Sequence, residues 1–126
     1  MGTVSLNNGE NIIQRSQGAL HFKISWYLGH LYLTDRRLLF IQATQKKLDV
    51  RLDRIIGINI AKKPWHMGNR VRQLCIDFDR SKGPEQACIA LAKPEKWVIA
   101  IKDSMALMLA ERCGCNGTNP KPSNNT

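Results

Sequence analysis

Hydrophobic and polar positions alternate along much of this chain. The clearest example is residues 47–53, in which Leu48, Val50 and Leu52 fall on one side and charged residues fall on the other. Because successive side chains of an extended chain point to opposite faces, a period of two is typical of an antiparallel strand with one buried face. The pattern therefore predicts a half-buried strand here with a charged outer surface.

The same pattern predicts about seven short strands. Thr34 and Asp35 form a polar turn between two strand-rich segments, so residues 28–34 and 37–42 are expected to pair as a hairpin. Gly18 suggests a bulge or bend in the first strand. The other strands are expected within residues 10–23, 47–53, 55–61, 71–79 and 86–92, with residues 62–70 as a loop.

The alternation also predicts which side chains of two later strands share a face. In the strand over 55–61, the three alternate isoleucines are expected on one side of the chain. In the strand over 71–79, the alternate apolar side chains are expected to point inward. These residues are Ile56, Ile58 and Ile60 in the first strand and Leu74, Ile76 and Phe78 in the second.

The hydrophobic period changes after residue 93 from that of a strand to that of a helix. Pro94 suits the first turn of a helix, and Gly114 suits the position after its end. We therefore expect a helix over roughly 94–112 with an apolar stripe on one face. The stripe comprises Trp97, Ile101, Met105 and Met108, widened by Val98, Leu107 and Leu109.

About seven strands followed by one amphipathic helix define a mainly β fold class with one C-terminal α-helix. Two orthogonally packed antiparallel sheets leave one open end, which a single helix can close. We expect this domain to span residues 9–113, between a flexible N-terminus at 1–8 and a disordered tail at 114–126 that has no large apolar side chain.

Residues 29–40, Gly-His-Leu-Tyr-Leu-Thr-Asp-Arg-Arg-Leu-Leu-Phe, resemble the signature hairpin of GRAM domains, a branch of the pleckstrin-homology-like superfamily. The segment 52–58 resembles the strand pair that follows this signature, and Trp97 fits the closing helix. The resemblance implies a pleckstrin-homology-like barrel that binds membranes or partner proteins. It also implies that Arg37 shapes the hairpin, whereas Arg36 is expected to be exposed.

The chain has 126 residues, which suits one domain, and a formal net charge of +9 at neutral pH. This charge favours anionic partners, which are lipid headgroups, nucleic acid or an acidic protein surface. No apolar run reaches the length of about 18 residues that a transmembrane helix needs, and no signal peptide is recognisable. We expect a cytoplasmic protein, peripheral at the membrane if it binds lipid.

The first candidate binding site is the predicted loop near residues 62–72. Residues 54–76 contain no acidic side chain at all. A tryptophan in such a basic loop suits the headgroup region of a membrane, because it combines an apolar body with one hydrogen-bond donor. The candidate residues are Lys62, Lys63, Trp65, Arg70 and Arg72. The alternative is that Trp65 folds back over the barrel and the cations are merely solvated.

The second candidate is the connection between the first two strands, which contains Lys23 and Trp26. The resemblance implies headgroup binding around this connection, or between it and the loop that joins the fifth and sixth strands. Both basic segments are therefore expected to meet on one surface. Lys23 is the only base of this segment, which does not favour a stereospecific lipid site, and Trp26 and Tyr27 could instead pack inside.

The four cysteines match no zinc-site spacing. Cys75 and Cys88 are expected on the outer faces of neighbouring strands, either as free thiols or as a regulatory disulfide. Cys113 and Cys115 are not expected to bind metal. No catalytic constellation or phosphate loop is recognisable, so we expect a non-enzymatic module without cofactors.

Weak binding to acidic membrane lipid is the function that the sequence favours. The alternative is a protein–protein adaptor that uses a groove beside the closing helix. Nucleic-acid binding is less favoured, because the cations are not interleaved with surface aromatic residues.

Overall fold

The computed structural model describes residue 6 and residues 8–64, 70–80 and 82–113, with the side chains of 112 and 113 excepted. Seven strands precede one helix, and a short 3-10 helix, Leu52–Arg54, joins the fourth strand to the fifth. The strands are β1 Ile12–Phe22, β2 Ser25–Thr34, β3 Arg37–Gln42, β4 Gln45–Arg51, β5 Ile55–Pro64, β6 Arg70–Arg80 and β7 Gly83–Leu91, and the helix is α1 Pro94–Cys113. The predicted fold class is confirmed.

The strands form one antiparallel sheet in the order β4-β3-β2-β1-β7-β6-β5. The first strand joins the two halves of this sheet, because it pairs along its length with β2 and through residues 18–22 with β7. The two sheets that the sequence predicts are thus halves of one hydrogen-bonded sheet. Helix α1 contacts the 3-10 helix, β5 and β6 and covers the core.

Two glycines face each other where β1 and β2 pair. Gly18 lies opposite Gly29 in the register. A Cβ atom on Gly29 would overlap the carbonyl oxygen of Ile41, and one on Gly18 would lie 2.8 Å from the carbonyl oxygen of Ala90. The register is continuous through Gly18, so this glycine permits a close approach of neighbouring backbones and does not mark a bulge.

The inward-facing side chains agree closely with the sequence pattern. The predicted apolar faces of β4 and β6 are buried, as are Trp97 and Ile101 of α1, with Met105 and Met108 packed at the margin of the core. Leu107 and Leu109 are exposed, which contradicts their predicted place in the stripe. At about 100° per residue they lie roughly 120° and 80° from Ile101, on the flanks of the buried face.

The fifth strand departs from the sequence pattern at both ends. A register shift between Ile55 and Gly57 buries Ile55 and leaves Ile56 64% exposed, so the prediction that Ile56 shares a face with Ile58 and Ile60 is wrong.

The prediction of a loop over 62–70 is wrong at both of its ends, because residues 62–64 continue β5 and Arg70 begins β6. The connection 65–69, including Trp65, lies outside the described residues, as does the predicted tail at 114–126.

Candidate functional site

A cavity of about 310 Å³ lies on the face of the sheet that points away from the core. Lys23 and Lys63, which come from the two separate candidate segments, both line this cavity. The other lining residues are His21, Pro64, Gln86 and Cys88. Pairing of β1 with β7, of β7 with β6 and of β6 with β5 brings these distant segments together.

The turn between β1 and β2 places a cation beside an exposed apolar side chain. Lys23 adopts the left-handed backbone conformation, with a φ of 61°. Its Nζ lies 5.5 Å from the ring centroid of Phe22, and the Arg80 guanidinium lies 5.4 Å from the same ring. Ile24, the next residue of the turn, is 94% exposed. The turn therefore presents an apolar tip next to positive charge.

His21 and Trp26 form a stacked pair beside the cavity. The two residues lie opposite each other on β1 and β2, with ring centroids 4.3 Å apart and an angle of 7° between the ring planes. Tyr27 instead packs against the core. Of the two aromatic residues that could have packed inside, only Tyr27 does so, and Trp26 stays on the outer side with His21.

Lys63 is held in place by a chain of polar contacts. Its Nζ donates to Oε1 of Gln86 at 3.2 Å, and Nε2 of Gln86 donates to Oδ1 of Asp77 at 2.7 Å. The Asp77 carboxylate is thus bonded to an amide and does not line the cavity. Among the described lining residues there are two lysines and no acidic side chain, so the cavity favours an anion.

The other predicted cations lie elsewhere on the β5–β6 hairpin. Lys62 and Arg72 oppose each other in the register, on the side of the strands opposite to Lys63. Arg72 forms an ion pair with Glu95 at the start of α1, and Nη2 of Arg70 donates to the backbone carbonyl of Lys62 at 2.9 Å. The hairpin therefore divides its charges between two faces.

The position of Glu95 in the first turn of α1 affects the pKa of its carboxyl group. A hydrogen bond from its own backbone N–H and the hydrogen bond from Arg72 lower the pKa of this carboxyl below its ordinary value. Arg72 is therefore tied to α1, on the core side of the sheet, rather than to the cavity.

Sequence reasoning did not find His21 and Gln86. His21 lies just before the second candidate segment but carries no permanent charge, and Gln86 is uncharged and lies far away in sequence. The pairing of β1 with β7 brings the two to the same cavity. Only the register between strands that are distant in sequence could have identified these two residues, and the sequence alone does not give that register.

A larger cavity of about 680 Å³ lies over β1, β2 and β3. None of the six predicted binding residues that the structure describes lines it, and Arg15 is its only lysine or arginine among the described lining residues. Leu6 packs nearby on a small apolar cluster of Tyr32, Leu39 and Ile41. The smaller cavity, which has two lysines, is the better candidate for an anionic ligand.

Comparison with known proteins identifies the fold. No family model and no curated protein matches this chain. The chain is similar in structure to the Vps36 N-terminal PH domain, with a TM-score of 0.65 and 22% identity over 83% of this chain and 86% of that one. It is also similar to the C-terminal domain of an unknown protein from Leishmania infantum, with a TM-score of 0.58 and 16% identity over 79% and 87% of the two chains.

The chain therefore has a pleckstrin-homology-like fold, and a fold alone does not select a function. Within the part of the chain that the structure describes, no helix is both long and apolar enough to cross a membrane.

Proposed function

We propose that this chain is a non-enzymatic, GRAM-type binding module that attaches weakly to acidic membrane lipid. The observation that carries the proposal is the cavity shared by Lys23 and Lys63, whose described lining contains no carboxylate. The GRAM assignment itself rests on residues 29–40, whose sequence resembles that family's hairpin.

The exposed turn beside the cavity supplies the apolar part of a membrane contact. Burying an isoleucine side chain contributes about 1.5–3 kcal/mol, and Ile24 is almost fully exposed to provide it. Each cation near an anionic bilayer adds about 1 kcal/mol. Lys23 and Lys63 with Ile24 therefore support weak, salt-dependent attachment. Acidic lipids are concentrated in the cytoplasmic leaflet, so we place the protein peripherally on that surface.

Vesicle sedimentation tests the proposal. The full chain should pellet with phosphatidylcholine vesicles that contain phosphatidylserine, and not with phosphatidylcholine alone. Replacing Lys23 and Lys63 together by glutamine should abolish most of this binding, because both cavity cations are lost. Raising the salt concentration should also weaken the binding of the unmodified chain to these vesicles, because salt screens the attraction between charges.

A matched variant separates the cavity from net charge. Lys96→Gln with Lys102→Gln removes the same charge from exposed positions of α1, which covers the core side of the sheet. This control should keep nearly all binding. Equal loss in the two double variants would contradict the cavity assignment and leave only a general attraction of a basic protein.

A protein–protein adaptor is the second candidate, and it has its own supporting observation. Leu107 and Leu109 on α1 are 66% and 61% exposed, and β5, which α1 contacts, is an edge strand of the sheet. Exposed apolar side chains on a helix that contacts an edge strand suit the docking of a peptide. This function predicts no vesicle binding at any salt concentration, so the same sedimentation experiment distinguishes the two.

A further inference from the structure

Two thiols lie directly opposite each other on the outer face of β6 and β7. Cys75 pairs with Cys88 in the strand register, and their Sγ atoms are 2.9 Å apart. Directly opposed residues of an antiparallel pair have Cα atoms about 4.5–5.5 Å apart, which falls within the range of about 4.4–6.8 Å that a disulfide requires. The backbone thus already holds the two cysteines in a geometry that a disulfide accepts.

The pair is buried but can be reached from one side. Cys75 is 1% exposed and Cys88 is 4% exposed, so neither offers a surface thiol. Cys88 nevertheless lines the cavity beside Lys63 and His21. A small oxidant can therefore reach this sulfur, whereas a bulky thiol reagent meets the cavity walls first.

The surroundings favour a thiolate within the pair. The hydrogen bond with Cys88 and the positive charge of Lys63 lower the pKa of the Cys75 thiol to about 7, against the opposing effects of burial and Asp77. The same hydrogen bond, together with burial, raises the pKa of Cys88. The pair therefore shares a single proton once it ionises, and thiolate is the reactive form of cysteine.

We propose that Cys75 and Cys88 form a reversible oxidation site that hydrogen peroxide converts to a disulfide across β6 and β7. The proposal does not depend on membrane binding. It depends on the register of the two strands, the contact between the sulfurs and the opening of the cavity at Cys88.

Oxidation requires two displacement steps. In the ionised pair the proton rests mainly on Cys88, but Cys88 is the sulfur that the cavity exposes, so transfer of this proton to the Cys75 thiolate comes first. The Cys88 thiolate formed in this way attacks one peroxide oxygen, so that an S–O bond forms as the O–O bond breaks and hydroxide leaves. That hydroxide takes the proton from Cys75 and becomes water. The Cys75 thiolate then attacks the Cys88 sulfur, an S–S bond forms, and the second hydroxide leaves and is protonated by solvent. Two thiols are oxidised, and one peroxide is reduced to two water molecules.

The test uses the full chain with Cys113→Ser and Cys115→Ser, so that Cys75 and Cys88 are the only thiols. After treatment with hydrogen peroxide, intact mass spectrometry should show a monomer lighter by the mass of two hydrogens. Both thiols should disappear together from alkylation by iodoacetamide in denaturant. Dithiothreitol should restore both thiols and the original mass.

Single-cysteine variants provide the control. Adding Cys88→Ser leaves one deeply buried thiol, which should be consumed about tenfold more slowly than the pair because it loses both its reactive neighbour and its access. Addition of oxygen to the two-thiol chain without loss of hydrogen would overturn the proposal, as would linked dimers in place of an internal bridge. Thiols that remain unchanged after treatment would also overturn it. This result comes from the chain that keeps both Cys75 and Cys88, so it does not depend on whether a variant at either position folds.

Discussion

Glu10 and Arg37 form a buried, two-point ion pair at the base of the β2–β3 hairpin. Nε of Arg37 donates to Oε2 of Glu10 at 2.9 Å and Nη2 donates to Oε1 at 3.1 Å, while the glutamate side chain is completely buried. The Thr34 hydroxyl donates to the same carboxylate at 2.6 Å, and Nη1 of Arg37 reaches Asp49 at 2.9 Å. The structural role predicted for Arg37 is confirmed, since it fastens the segment before β1 to β3 and β4.

Glu10→Gln should destabilise the domain. Removing one partner of a buried ion pair costs about 3–5 kcal/mol, and we expect the lower end of that range because Asp49 still faces Arg37. Urea unfolding gives the free energy directly. Glu95→Gln, which breaks the exposed pair with Arg72, is the control and should have a much smaller effect. Equal losses in the two variants would show that the buried pair has no special role.

Gly29→Ala should lower the thermal midpoint of unfolding. The added methyl group would overlap the carbonyl oxygen of Ile41, so strands β2 and β3 would have to separate, at a cost of about 1–3 kcal/mol. Gly57→Ala is the matched comparison, because its methyl group would meet only the side chain of Asp77, whose Oδ2 would lie 3.2 Å away and can move. A midpoint for Gly29→Ala as high as that for Gly57→Ala would contradict the close approach.

Trp97→Ala should remove much of the domain's stability. The indole is 2% exposed within the core, and truncating a buried tryptophan costs about 3–5 kcal/mol. Leu107→Ala on the same helix should stay within about 0.5 kcal/mol of the unmodified chain, because Leu107 is largely exposed. Chemical denaturation of both variants measures the difference. Similar unfolding curves would mean that α1 does not dock through Trp97.

Ile24→Ser should weaken binding to vesicles that contain phosphatidylserine and leave the free energy of unfolding unchanged. The side chain is too exposed to stabilise the fold, but it stands at the tip of the turn beside Lys23. Because no charge is removed, the salt dependence of binding should keep its slope. Sedimentation across a salt series tests both expectations. If Ile24→Ser binds as strongly as the unmodified chain, Ile24 does not contribute to the membrane contact and only electrostatic attraction remains.

Local periodicity predicted the elements and most of the core of this protein, because burial of one face imposes a repeat on the sequence itself. It also predicted that Cys75 and Cys88 are neighbours, since they lie on adjacent strands joined by a short connection. Periodicity failed at Ile56, because a register shift between Ile55 and Gly57 turns this side chain to the exposed face although the alternation of the sequence continues unchanged.

Local periodicity did not predict the ends of the strands or the pairing between strands that are distant in sequence. Residues 62–64, Lys-Lys-Pro, remain extended because their backbone pairs with residues 70–72, and this pairing does not depend on apolar side chains. Lys63 was a candidate from its basic segment, but its meeting with His21 depends on contacts between distant parts of the chain. No local pattern encodes such contacts.

The double pairing of β1 has a consequence for how the chain folds. Residues 18–22 can form a hairpin with β2 as soon as both strands have been synthesised, but their other edge waits for residues 87–91 near the end of the domain. Bringing residues 87–91 back to β1 costs conformational entropy before the new contacts stabilise the pairing, so this part of the sheet forms late. Until then the edge of β1 is open to pairing with another chain. The interval between synthesis of β2 and arrival of β7 is therefore when this protein is most exposed to misassembly.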